Sequence, residues 1–93
     1  MAFLREQQST REWPLRGKIT LIGRDPSCDV VIGTERTSWR HALIVHSKQG
    51  YSIEDLDSVN GTFVNGRRID TEALRDGDEL RFGNTQVQFE ALR

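Results

Sequence analysis

Polar turn signals interrupt this chain so often that no stretch between them is long enough for a helix of ordinary length, and the apolar residues recur with a period of two. Side chains alternate across a strand, so such a chain must fold as short strands, each burying one face. Asn65-Gly66 supplies the two positive-φ residues of a type I′ turn between Phe63-Val64 and Arg67-Arg68-Ile69 and predicts a tight hairpin. Residues 41–45 alternate, with Ala42 and Ile44 opposing Leu43 and Val45. Ser47-Lys48-Gln49-Gly50 then turns the chain into 51–56, a second hairpin. Asp76-Gly77 introduces a strand over 79–82, and Gly83-Asn84 returns the chain into 85–91, where Val87 and Phe89 alternate with Gln86 and Gln88.

The remaining segments carry weaker signals. Residues 18–22 read as a strand with Ile19 and Leu21 on one face, and 29–32 as a short β-branched run after the Asp25-Pro26-Ser27 turn. Residues 1–16 are the least legible. Trp13-Pro14-Leu15 suggests an edge strand, because proline cannot donate to a central ladder. The one helical stretch is 71–75, a single turn at most. About ten or eleven short strands with glycine punctuation predict an all-β fold, an antiparallel β-sandwich formed by one domain over residues 1–93. In such a fold the sheets hold the chain, and loops at one end carry the function.

Composition excludes several classes. Thirteen Lys and Arg against fourteen Asp and Glu give a net charge of -1, so the broad basic footprint of a nucleic-acid binder is missing. No apolar run reaches the roughly 20 residues of a membrane span, Ala2 stands where a myristoylation signal needs Gly, and the first residues are not a secretory signal. Cys28 is the single cysteine; it reads as a small buried hydrophobe, and a chain this short without a disulfide fits the cytoplasm. His41 and His46 point to opposite faces of a strand and cannot share a metal, so neither a metal nor a cofactor is expected. Gly23-Arg24-Asp25-Pro26 lacks the glycine spacing and lysine of a nucleotide loop. Arg93 follows the last strand at once, which suggests excision from a longer chain.

Two loops concentrate polar chemistry. Between Gly23 and His41 the chain gathers Arg24, Arg36 and Arg40 with several hydroxyls, the forks and donors that a phosphate dianion needs, although each arginine alone reads as a solvated surface charge. The loop Asp57-Ser58-Val59-Asn60-Gly61-Thr62 offers a side-chain amide able to pair both donor and acceptor with a peptide backbone; alone, Asn60-Gly61 is only a turn.

Four segments, Gly23-Arg24, Ser38-Trp39-Arg40-His41, Ser58-Val59-Asn60-Gly61-Thr62-Phe63-Val64-Asn65-Gly66 and Asp76-Gly77-Asp78-Glu79-Leu80-Arg81-Phe82-Gly83, resemble in order and spacing the forkhead-associated (FHA) domain, from about residue 18 onward. The resemblance implies an eleven-stranded sandwich that binds phosphothreonine-containing segments of partner proteins in Ser/Thr kinase signalling, as a monomer and without catalysis. It implies that Arg24 contacts the phosphate or the adjacent backbone, that Ser38 donates to a phosphate oxygen, and that Arg36 reaches the phosphate or a downstream acidic residue. Asn60 would hold the ligand backbone just after the phosphothreonine. Gly23, His41 and Gly61 would be architectural, with His41 bracing two loops.

Two positions depart from the family. Val59 stands where Ser or Thr is frequent and removes a phosphate donor, a loss of roughly tenfold to a hundredfold in affinity. Trp39 stands where Arg or Asn is frequent; it is either an aromatic wall beside the ligand, an anchor for a protein interface, or packing across the sheet end. These departures keep open a phosphate-independent interaction or self-association domain on the same fold. A hydrolase built on Ser38 and His41 is the remote third reading, since no oxyanion arrangement or acidic orienter accompanies the pair.

Overall fold

The computed structural model describes residues 1–91, so Arg93 and the reading attached to it lie outside the described residues. Eleven strands form among the described residues: β1 (Ala2–Glu6), β2 (Glu12–Leu15), β3 (Ile19–Gly23), β4 (Val30–Val31), β5 (Ala42–Ser47), β6 (Gly50–Asp55), β7 (Thr62–Val64), β8 (Arg67–Ile69), β9 (Thr71–Leu74), β10 (Glu79–Phe82) and β11 (Thr85–Ala91). A six-stranded sheet in the order β2-β1-β11-β10-β7-β8 packs on a five-stranded sheet in the order β4-β3-β5-β6-β9. All neighbours are antiparallel except β3 and β4. Asn65 (φ 51°) and Gly66 (φ 84°) adopt the backbone that the β7–β8 hairpin requires.

The alternation in the sequence becomes the core. Leu4, Leu80, Phe82 and Phe89 from one sheet meet Ile22, Ile44 and Ile53 from the other, all essentially buried. Each such side chain contributes about 1.5–3 kcal/mol of burial. Cys28 is buried as well, and desolvation raises its thiol pKa, which suits a packing residue better than a nucleophile.

Three local readings are corrected. In β3 the inward residues are Thr20 and Ile22, and Ile19 is 60% exposed, so the face assigned to Ile19 and Leu21 is the outer one. Thr20 pairs with Ile44 and Ile22 with Ala42; the buried Ala42/Ile44 pair on β5 sets the register, and a one-residue shift exchanges the faces. Residues 71–74 form a strand rather than a helical turn: pairing with β6 overrides the helix preference of Glu72-Ala73-Leu74. The first sixteen residues are more than an edge segment. β2 is at the edge, but β1 lies inside the sheet between β2 and β11, with Ala2 and Leu4 fully buried. No helix among the described residues is long and apolar enough to cross a membrane.

Register also decides which connections meet. Ile22 pairs with Ala42 and Ala42 with Asp55, while in the other sheet Thr62 pairs with Phe82 and Phe82 with Thr85. The connections β3–β4, β4–β5, β6–β7 and β10–β11 therefore open at the same end of the sandwich.

Candidate functional site

At that end the backbone of residues 36–41 is stitched to both of its neighbours. Arg24 N donates to Ser38 O and Asp25 N to Trp39 O, each at 3.0 Å. Gly23 permits this approach: a Cβ there would overlap the Trp39 carbonyl oxygen and come within 3.0 Å of Arg40 Cα. On the other side Val59 N donates to Ser38 Oγ at 3.0 Å, and Asn60 Nδ2 donates to Arg36 O at 2.8 Å.

His41, fully buried, lies beneath this junction, its ring edge-on to Phe82 at 5.6 Å. Ser38 N donates to its Nδ1 at 3.0 Å, so the proton is on Nε2, which donates to Gly61 O at 2.8 Å. Gly61 presents that carbonyl from a left-handed backbone (φ 92°) that a side chain would strain. Both ring nitrogens are thus engaged with backbone groups, and neither faces Ser38 Oγ as a general base would. His46 is exposed and stacks on Tyr51 at 4.0 Å, remote in role from His41.

Burial pushes the His41 pKa below its ordinary 6.5, opposed in part by the Gly61 carbonyl and the Asp55 charge. The unfolded chain therefore takes up a proton before the folded one does. The stabilisation is complete above the unfolded value of 6.5 and is lost as pH falls from there toward the lower folded value. Expected is a thermal midpoint that declines as pH drops below 6.5, with that decline reduced in His41→Gln, which cannot titrate. Identical slopes in the two proteins would assign the decline to another group.

The side chains singled out in the sequence are brought to one surface. Arg24 is exposed; its Nε donates to Thr37 O at 3.2 Å, and its guanidinium lies 5.7 Å from the centre of the Trp39 ring. Ser38 Oγ accepts the Val59 amide, so its own proton is left to donate outward. Asn60 retains its Oδ1 and one amide proton beyond the bond to Arg36. Arg36 is exposed beside it. Trp39 is 54% and Val59 82% exposed, so neither packs into the sandwich.

Asp55 is the residue that the sequence reading missed. Its carboxylate accepts Ser58 Oγ at 2.5 Å, Thr62 Oγ1 at 2.7 Å and Ser58 N at 3.3 Å, while Ser58 Oγ in turn accepts Gly61 N at 3.1 Å. Ser58 is thereby turned inward and buried, and the loop holds Val59 and Asn60 outward. The three-residue spacing of Asp55 and Ser58 is the local signal of this turn.

Residues 20–83 match the family model of the FHA domain. The chain is 42% identical over 89 residues to the ABC transporter ATP-binding/permease protein Rv1747 of Mycobacterium tuberculosis, covering 96% of this chain and 10% of the transporter. Among solved structures it is similar to Mycobacterium tuberculosis EmbR in complex with a low-affinity phosphopeptide, with TM-score 0.93 and 37% identity over 96% of this chain and 24% of that one. It is similar also to a domain solved in a study of phosphothreonine-dependent FHA domain interactions, with TM-score 0.94 and 29% identity over 99% and 97% of the two chains. The chain thus spans about a tenth of the Rv1747 transporter and about a quarter of EmbR.

Proposed function

This chain belongs to the FHA domain family, and from that premise we propose that Arg24, Arg36, Ser38 and Asn60 bind a phosphothreonine-containing segment of a partner protein. The observation that carries the reading is the Ser38–Val59 and Asn60–Arg36 pair of bonds. It joins two loops so that an outward hydroxyl, a half-used amide and two guanidiniums share one surface. Hydroxyl and guanidinium donors suit a phosphate dianion, and the free edge of Asn60 suits the backbone of an extended peptide. Trp39 and Val59 add apolar contact beside the phosphate. Gly23, His41 and Gly61 hold the loops without touching ligand. The module acts as a non-catalytic, monomeric reader inside the cell, where Ser/Thr kinases supply its ligand, and needs no cofactor.

The exposure of Trp39 and Val59 favours one second reading, a phosphate-independent interaction surface at the same end. Titration with a phosphothreonine peptide selected from an oriented library, beside its unphosphorylated twin, separates the two. Phosphate recognition requires that only the first binds.

Val59→Thr is the sharper variant. Val59 is 82% exposed, so the new hydroxyl meets no burial cost, and the amide of residue 59 already sits at Ser38 Oγ. A donor added there should tighten phosphopeptide binding about fivefold or more, with no gain for the unphosphorylated twin. Unchanged or weaker binding by a folded Val59→Thr protein places the phosphate away from this loop and favours the second reading.

A further inference from the structure

Next to Asn60 the outer face of the six-stranded sheet carries a cationic strip that the site above does not use. Thr62 and Val64 are buried, so Phe63 between them points outward. Its cross-strand partners, Arg68 on β8 and Arg81 on β10, point outward with it. The Arg81 guanidinium lies 3.9 Å from the centre of the Phe63 ring, and its Nη1 donates to Gly83 O at 3.1 Å. At the other flank, a Cβ on Gly61 would stand 2.9 Å from Arg68 Nε and 3.1 Å from Phe63 Cε1, so the Asn60-Gly61 backbone rests directly on this pair.

The charges here are unbalanced. Arg40 has Asp25 and Arg67 has Glu72 within ion-pair distance, but among the described residues neither Arg68 nor Arg81 has a carboxylate partner. Glu79, two residues before Arg81, accepts Gln7 Nε2 at 3.1 Å, and Gln86, the β11 partner of Arg81, is neutral. Arg67, the neighbour of Arg68, faces a groove of about 580 Å³ toward the opposite end of the sandwich, where Arg75 is also found. The charge of Arg67 is already met there.

We infer that Arg68, Phe63 and Arg81 form a second contact strip for a run of acidic residues in the same phosphorylated partner, an inference that rests on the phosphothreonine reading of the adjoining loops. Arg68 and Arg81 stand two strands apart, about 10 Å, and an extended peptide advances about 3.3 Å per residue, so three or four residues span them. The strip adjoins Asn60, so a ligand held there by its backbone can continue onto the sheet without a gap. Phe63 supplies an apolar floor that keeps Arg81 in place.

The test uses three phosphothreonine peptides of equal length, with four glutamates after the phosphothreonine, with four before it, or with glutamines at both places. One acidic peptide should bind about threefold to fivefold tighter than the glutamine peptide at low salt. The gain should fade as salt is raised. Arg68→Gln combined with Arg81→Gln should bring that peptide to the level of the glutamine peptide and leave the latter unchanged, while Arg75→Gln, away from the strip, should alter neither. Equal binding of all three peptides, or an acidic preference that survives removal of both strip arginines, overturns the strip and leaves the phosphothreonine reading standing. Binding by none of the phosphopeptides overturns both.

Discussion

Ser38→Ala and Arg24→Ala should each weaken phosphopeptide binding at least tenfold, a loss of about 1.4 kcal/mol, while the domain stays folded. Each removes a donor to a charged group, and such bonds contribute about 1.5–3 kcal/mol. The folded state loses less. Ser38 gives up the bond from Val59 N, but Val59 is exposed and its amide can turn to water. Arg24 gives up one part-buried bond to Thr37 O and its contact with the exposed Trp39 ring. With about 1 kcal/mol at stake, a thermal midpoint falls by about 4–8 °C in a domain of this size. Calorimetric titration beside thermal unfolding measures both quantities. Full-strength binding in both variants would remove Arg24 and Ser38 from the site.

Gly23→Ala should cost about 3 kcal/mol of stability, a large loss for one added methyl group. Its backbone is ordinary in φ, so the cost is one of space. The new Cβ overlaps the Trp39 carbonyl oxygen, which cannot retreat freely: it accepts Asp25 N at 3.0 Å and Cys28 Sγ at 3.6 Å. Gly23 cannot retreat either, because its own carbonyl accepts Ile32 N at 2.8 Å and its strand is paired with β4. Relief has to come from displacing residues 38–40, the segment that carries Ser38. Binding should therefore fall together with the midpoint, unlike in Ser38→Ala, where binding alone falls steeply. Denaturant unfolding within about 0.5 kcal/mol of the unsubstituted protein would show that the segment yields more easily than these bonds suggest.

What could be read from sequence was whatever a few adjacent residues decide. Asn65-Gly66 can hardly be anything but a tight hairpin, because two successive positive-φ residues match the twist of the strands around them. Alternation at Val87 and Phe89, or at Ala42 and Ile44, marks its buried face without outside help. The order of the short motifs around Arg24, Ser38 and Asn60 pointed to the family, and the three positions do converge on one surface. The faces of β3 were not legible, since Ile19, Leu21 and Ile22 are all apolar and only pairing with β5 decides which of them turns inward. β9 reads locally as a turn of helix and becomes a strand only because β6 offers it a ladder. β1 gave almost no signal, yet its contact with β11, more than eighty residues away in sequence, places Ala2 and Leu4 in the core.

The same division runs through the binding end. By itself the chain determined which residue types were available for a phosphate and which turns would present them, because turn chemistry and side-chain chemistry are local properties. Tertiary structure decided what holds those residues and what lies beside them: His41 locked in one tautomer between two loops, Asn60 bonded to Arg36 O across them, and Arg81 laid over Phe63 by the pairing of β7 with β10. Each of these depends on the distance between segments that the chain connects only through a sheet. That distance is set by register and packing over the whole sandwich, quantities that no window of neighbouring residues contains.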